Sequence, residues 1–143
     1  MLHGLSRGWA LVSVIGMLGC MPRNEVEPAA SQLHLVGRWN VSRVGGGMTQ
    51  FAFDVTDVND GSVRGTLLRI LSGNVGIDVS RYQPLDGNID GAQVVLASVD
   101  RVSGTRLSMT FHVVGDGLEV ATIEWAGEVL TSTGGSWTVW REH

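Results

Sequence analysis

The stretch Arg106–Val114 reads RLSMTFHVV, and in it apolar and polar side chains alternate one by one. Successive side chains of a β-strand point to opposite faces, so this alternation predicts a strand with one buried face and one solvated face. The members of the apolar set, which we expect to point inward, are Leu107, Met109, Phe111 and Val113.

The same period of two continues on both sides of this stretch, from Leu33 to Arg141, with turn clusters between the apolar runs. The cluster Asn59-Asp60-Gly61 is the strongest hairpin signal. These patterns predict an all-β domain. Its predicted strands are Leu33–Arg43, Met48–Val58, Ser62–Leu71, a segment from Val75 to about Asp90 that is bent or broken at Pro84, Gln93–Val99, Arg106–Val114, Leu118–Leu130 and Ser136–Arg141.

The predicted architecture is a single antiparallel up-and-down meander of about eight strands. All connections between the strands are short, so strands that are neighbours in sequence should pair in space. A meander of eight strands protects its edges best by closing into a small barrel, in which the first strand pairs with the last. A two-sheet β-sandwich is the alternative.

The N-terminus has the pattern of an export signal. An 11-residue apolar run, Gly8–Leu18, follows Arg7 and is too short to span a bilayer. Gly19 and Cys20 follow at once, which resembles the bacterial lipobox. We therefore expect residues 1–20 to be a lipoprotein signal peptide, Cys20 to be lipidated and residues 21–32 to be a flexible tether before a domain at 33–143. A plain secretory signal with a chance cysteine is the alternative.

Charge and cysteine content exclude several classes of function. The formal net charge is −4, and all 14 acidic residues follow Cys20. Such a domain repels phosphate backbones, so we expect no nucleic-acid partner. Cys20 is the only cysteine, which leaves the folded domain without a disulfide or a cysteine-based metal site. Met21 after Cys20, rather than Asp, favours the periplasmic face of the outer membrane by analogy with Gram-negative sorting.

Two short motifs carry a resemblance to a known family. Gly37-Arg38-Trp39 opens the meander, and Trp137-Thr138-Val139-Trp140-Arg141 ends it. This pairing resembles the calycins, the group of lipocalins and avidins. The resemblance implies that Trp39 lies at the closed end of a barrel beside Gly37, with Arg141 packed over it. It does not extend to the biotin-binding positions of avidin.

One local motif suggests a metal site. Asp86-Gly87-Asn88-Ile89-Asp90-Gly91 matches the first half of an EF-hand calcium loop. The closing glutamate of such a loop is replaced by Ala97, and the same residue types favour turns. We therefore expect a turn, no metal and no cofactor. The strand histidines His34 and His112 lie on polar faces, where we expect them to be exposed.

Large side chains dominate the predicted interior. Tryptophans 39, 125, 137 and 140 either line a ligand pocket or pack in the core, and a filled interior is favoured. The residues that would line such a pocket are Phe51, Phe53, Met109, Phe111, Trp125 and Trp137. The expected function is a non-enzymatic envelope lipoprotein whose barrel binds a small apolar ligand. The alternative is a filled barrel that acts through its surface on a protein partner, as a periplasmic inhibitor or envelope scaffold.

Overall fold

The computed structural model describes residues 34–45 and 49–143. They form ten β-strands and two short 3-10 turns, at Val79–Arg81 and Leu130–Thr133. The strands are β1 (Gly37–Val44), β2 (Thr49–Asn59), β3 (Ser62–Ser72), β4 (Val75–Ile77), β5 (Leu85–Asp90), β6 (Gln93–Val99), β7 (Arg106–Val114), β8 (Gly117–Trp125), β9 (Glu128–Val129) and β10 (Ser136–Arg141).

All ten strands belong to one antiparallel sheet, so the two-sheet alternative is wrong. The strand order is β10-β1-β2-β3-β5-β6-β7-β8-β9, and β4 pairs with one end of β3. The predicted pairing of the first strand with the last is confirmed, with Trp39 opposite Arg141. The meander curls until β8 and β10 lie side by side, with Cα atoms within 8 Å of each other. In the described part of the chain no backbone ladder joins β8 to β10, which makes this the seam of the small barrel.

The two ends of the barrel are built differently. At one end, which we call the cap end, the three hairpin turns at residues 60–61, 91–92 and 115–116 have two residues each. Asp60 and Gly61 both have positive φ, 48° and 77°, as the predicted hairpin turn requires. At the other end, the loop end, the connections are longer and include β4, β9 and both 3-10 turns.

The core lies on the inner face of the curled sheet. The predicted inward residues of β7 are buried, apart from the partly buried Val113 near its end, and Phe51, Phe53 and Val55 of β2 are buried as well. The largest fully buried side chains are Leu35, Val41, Phe51, Phe53, Leu67, Ile70, Leu85, Leu96, Leu107, Met109, Phe111 and Ile123.

A bulge explains why the inward face of β3 cannot be found by counting every second residue of its sequence. Phe53 pairs with Leu67 and Ala52 pairs with Arg69, so Leu68 is an extra residue in β3. A bulge of this kind shifts the alternation by one. Leu67 and Ile70 are therefore buried on the same face although they are three residues apart.

Two segments differ from the sequence prediction or refine it. The strand predicted over Leu118–Leu130 is wrong, because β8 ends at Trp125 and the chain turns at Ala126 and Gly127, with φ values of 54° and 82°. The predicted break near Pro84 is present, since a 3-10 turn and a cis Gln83-Pro84 bond separate β4 from β5.

Candidate functional site

The cap end is covered by an arginine packed on a tryptophan. Trp39 is 2% exposed, and its indole nitrogen donates a 2.8 Å hydrogen bond to the carbonyl oxygen of Leu35. The guanidinium carbon of Arg141 lies 5.9 Å from the centroid of the Trp39 ring. A guanidinium nitrogen of Arg141 also donates to the carbonyl oxygen of Val36. The guanidinium is thus fixed both by the ring face and by a backbone acceptor.

Gly37 leaves the space that this arginine occupies. Its φ is +135°, a conformation that residues with a Cβ rarely adopt. A Cβ built at this position would lie 3.0 Å from both Nε and Nη2 of Arg141. The structure therefore brings together Gly37, Trp39 and Arg141, the three positions singled out by the calycin resemblance.

The candidate ligand-lining residues of the interior pack against one another. Phe51, Phe53, Met109 and Phe111 have no exposed surface. The rings of Phe53 and Phe111 have centroids 5.9 Å apart. A side chain without accessible surface borders no void that admits water, so these four side chains fill the space around them.

The other two candidate lining residues lie near the loop end and are partly buried. Trp137 stacks on Phe51 with ring centroids 6.2 Å apart and an interplanar angle of 19°. Trp125 donates a 3.2 Å hydrogen bond from its indole nitrogen to the hydroxyl oxygen of the buried Tyr82. Within the described residues, the buried indole nitrogen of Trp137 has no hydrogen-bond partner.

A buried carboxylate, that of Asp100, connects two segments of the loop end. Asp100 is 4% exposed and accepts hydrogen bonds from Nε of Arg81 and from the backbone N–H groups of Val102 and Ser103. Nη2 of Arg81 lies 2.8 Å from its second oxygen. Burial alone would raise the pKa of Asp100, but the hydrogen bonds from Val102 and Ser103 and the charge of Arg81 lower it on balance.

The residues of the calcium-like motif do not form a chelating loop. Asp86, Asn88 and Asp90 are exposed positions of β5, with only Gly91 in the following turn. Alternate residues of an extended strand are spaced too far apart to fold around one ion in the way that an EF-hand loop does. The predicted turn therefore covers only the last position of the motif.

An open groove lies on the outer face of the sheet, across β10, β1, β2 and β3. Strand register places Trp140, Asn40, Ala52 and Arg69 in one row, each opposite the next. Asn40 and Ala52 form the floor and are 6% and 5% exposed, while Trp140 is 44% exposed. The groove has a volume of about 530 Å3 and is also lined by Arg38, Gln50, Leu68 and Glu142.

The bulge in β3 shapes one wall of this groove. Since Leu67 and Ile70 both point inward, the two residues between them, Leu68 and Arg69, line the groove together. The wall therefore has an aliphatic side chain beside a guanidinium, and Asn40 and Ala52 separate it from the indole of Trp140.

The two arginines of the groove differ in their partners. Arg38 forms a two-point contact with the Asp54 carboxylate at 3.0 and 3.2 Å and lies 3.8 Å from Glu142. The hydrogen bond and the charge of Asp54 raise the pKa of Arg38. No carboxylate of the described residues lies within 4.0 Å of the Arg69 guanidinium, which donates a 3.5 Å hydrogen bond to Oδ1 of Asn40.

The sequence patterns did not predict this groove, although they could have predicted the outward position of Trp140. Counting by twos from the inward Trp137 and Val139 places Trp140 outward, so its inclusion among core or pocket tryptophans was wrong. Tryptophan is enriched at recognition surfaces, so an outward tryptophan is a candidate for one. The contribution of Arg69 depends on the β3 bulge, which the sequence does not reveal.

No family model matches the chain, and no curated protein or solved structure shows a significant similarity to it. What these residues define is a small all-β barrel with a packed interior and a polar groove on its outer face. Among residues 34–45 and 49–143, no helix is both long and apolar enough to cross a membrane. Cys20, the predicted signal peptide at residues 1–20 and the predicted tether at residues 21–32 lie outside the described residues.

Proposed function

We propose that this protein is a non-enzymatic envelope lipoprotein whose barrel acts through its outer surface on a protein partner. The observation that carries this proposal is the contrast between the two faces of the sheet. The inner face is packed with large side chains that have no exposed surface, while the outer face keeps a groove beside a 44% exposed tryptophan. Exposed aromatic and arginine side chains are typical of recognition surfaces.

The absence of enzymatic activity is supported by the environments of the titratable groups. His34 and His112 are exposed. The buried carboxylate of Asp100 is occupied by Arg81 and by backbone N–H groups. A general acid or base needs a free position toward a substrate, and none of these three side chains combines burial with such a position.

The envelope location is proposed from the sequence. Lipidation of Cys20, with residues 21–32 as a tether, would hold the domain by the start of β1, which lies at the cap end. The groove lies on the side of the barrel and would remain accessible. Cys20→Ser should move the protein from the membrane fraction to the soluble periplasmic fraction. Unchanged fractionation would contradict the anchor without affecting the barrel.

Binding of a small apolar ligand inside the barrel is the second candidate. The observation that favours it is the unpartnered indole N–H of Trp137, because buried polar groups are nearly always hydrogen-bonded and a largely apolar ligand with one acceptor atom would supply the missing partner. This function requires space near Trp125 and Trp137 at the loop end. An apolar naphthylamine dye that bound saturably, and whose binding was abolished by filling this region with Val139→Phe, would support it.

Site-specific photocrosslinking in living cells tests the partner function. A photoreactive phenylalanine analogue is placed at position 140 of the full chain. The matched control position is Val75, which is 66% exposed on β4 and lies outside the groove. We expect one discrete protein adduct from position 140 and none of that size from position 75. The absence of an adduct from position 140, or the same adduct from both positions, would overturn the proposed function.

A further inference from the structure

The floor of the outer groove contains a polar side chain that the protein itself uses only in part. Asn40 is 6% exposed at the centre of β1, a location that asparagine rarely occupies. Within the described residues, its side chain has one hydrogen bond, which Oδ1 accepts from Arg69. The N–H groups of its amide are therefore left to donate into the groove.

Arg69 adds a second set of donors at the same place. Its guanidinium has no carboxylate partner among the described residues, unlike the neighbouring Arg38, which Asp54 and Glu142 neutralise. A guanidinium next to an amide N–H group offers several hydrogen-bond donors and a positive charge to one acceptor. A carboxylate fits this arrangement, because its two oxygens accept from a planar guanidinium with good geometry.

The walls indicate what accompanies the carboxylate. Trp140 and Leu68 lie on opposite strands of the groove, one aromatic and one aliphatic. The indole of Trp140 and the side chain of Leu68 provide the apolar surface that an apolar side chain would contact. The volume of about 530 Å3 lies within the range of about 300–1,000 Å3 that small-ligand sites have.

We infer that the groove binds a short peptide segment of a partner protein, with an acidic side chain on Arg69 and Asn40 and a neighbouring apolar side chain between Trp140 and Leu68. This inference rests on the proposed function, since it names the chemistry that the outer face recognises. The protein carries a net negative charge, so Arg69 provides a local exception that selects for an acidic group.

A peptide titration followed by NMR tests the inference. The full chain, labelled with 15N in detergent micelles, is titrated with acetyl-Leu-Glu-Leu-amide and with its uncharged match, acetyl-Leu-Gln-Leu-amide. We expect the glutamate peptide to shift the indole N–H signal of Trp140 and the side-chain amide signals of Asn40 saturably. The glutamine peptide should bind about tenfold more weakly, which corresponds to about 1.4 kcal/mol.

Two variants test whether Arg69 is the residue that distinguishes the charged peptide from the uncharged one. Arg69→Gln should reduce the affinity for the glutamate peptide to that for the glutamine peptide. Arg106→Gln removes an exposed arginine that lies outside the groove, and it should leave both affinities unchanged. Equal affinities for the two peptides, or an Arg69→Gln variant that still distinguishes them, would overturn the assignment.

A titration with a sugar acid tests whether a carboxylate on a saccharide binds in place of the carboxylate of the peptide. Saturable binding of glucuronate in place of the glutamate peptide would overturn the peptide source. The crosslink from position 140 remains the separate test of the proposed function. If the crosslink persists while the titrations fail, the chemistry assigned here is wrong and the partner function stands. If the crosslink is absent, the partner function itself fails.

Discussion

Different chemical groups cover the core at the two ends of the barrel. At the cap end the hairpin turns have two residues each, and one indole with one guanidinium packs over the core beside the backbone of Leu35 and Val36. At the loop end the longer connections fold over the core. They carry Tyr82, which bonds Trp125, and Arg81, which pairs with Asp100.

The difference between the ends shows that the length of the connections determines which groups cover the core. Because these groups differ, the stability of the two ends should also depend differently on pH. Arginine stays charged throughout the range in which proteins fold, so the cap end has no titrating group in its central contact. The loop end depends on a carboxylate, and carboxylates lose their charge in acid. The following variants test this contrast, in order of decreasing expected effect.

Removing the indole at the cap end should have the largest effect. Trp39→Ala deletes a side chain that is 2% exposed and leaves a cavity, so we expect a loss of about 3–5 kcal/mol in the free energy of unfolding. The control is Trp140→Ala, which removes the same type of side chain from the outer face and should cost less than about 1 kcal/mol. Urea unfolding measures both, and similar losses in the two variants would contradict the buried role of Trp39.

The loop end should show a pH-dependent loss. The pKa of Asp100 is lowered in the folded state, so its stabilisation is fully present above the unfolded value of about 3.9 and is lost as pH falls through the folded pKa. Asp100→Asn should therefore lower the melting temperature by about 5 °C at neutral pH. The difference from the original chain should shrink below about pH 4. A difference that stays constant from neutral pH into acid would argue against an ionised Asp100.

The arginine of the cap end should contribute less and independently of pH. Arg141→Gln removes the contact with the Trp39 ring, worth about 0.5–2 kcal/mol. Arg106→Gln, at an exposed arginine without an ion pair among the described residues, should change stability by less than about 0.5 kcal/mol. Thermal unfolding at two pH values measures both variants. An Arg141→Gln effect that grows as pH rises from acid to neutral would contradict the contrast between the ends.

The hydroxyl at the loop end should have the smallest effect. Tyr82→Phe keeps the buried ring and removes the acceptor for the Trp125 indole, which should cost about 0.5–1.5 kcal/mol. Near-ultraviolet circular dichroism and urea unfolding can follow this change together. Unaltered stability together with an altered Trp125 signal would show that water replaces the hydroxyl.

Much of the fold could be predicted because local pattern and burial agree. Alternation in Arg106–Val114 located the inward face of β7, and Asp60-Gly61 located a hairpin. The prediction failed at Leu118–Leu130, because a turn at Ala126 and Gly127 lacks the strong signal of Asn59-Asp60-Gly61. The groove could not be predicted from the sequence either, because its residues come from four strands and its shape depends on the bulge at Leu68.

By itself, the sequence determined most of the strands, since they follow from period-two alternation, and the pairing of the first strand with the last, since it follows from the order of a closed meander. The contact between Trp39 and Arg141 was what the calycin resemblance implied. Only the tertiary structure decided where Leu68 and Arg69 point, because a bulge arises from the register between two strands. It also decided that Asp100 is buried with Arg81, since this contact depends on how the chain folds where it leaves the paired strands β5 and β6 at the loop end. A strand pattern is local, whereas a register and a seam depend on how the whole sheet closes.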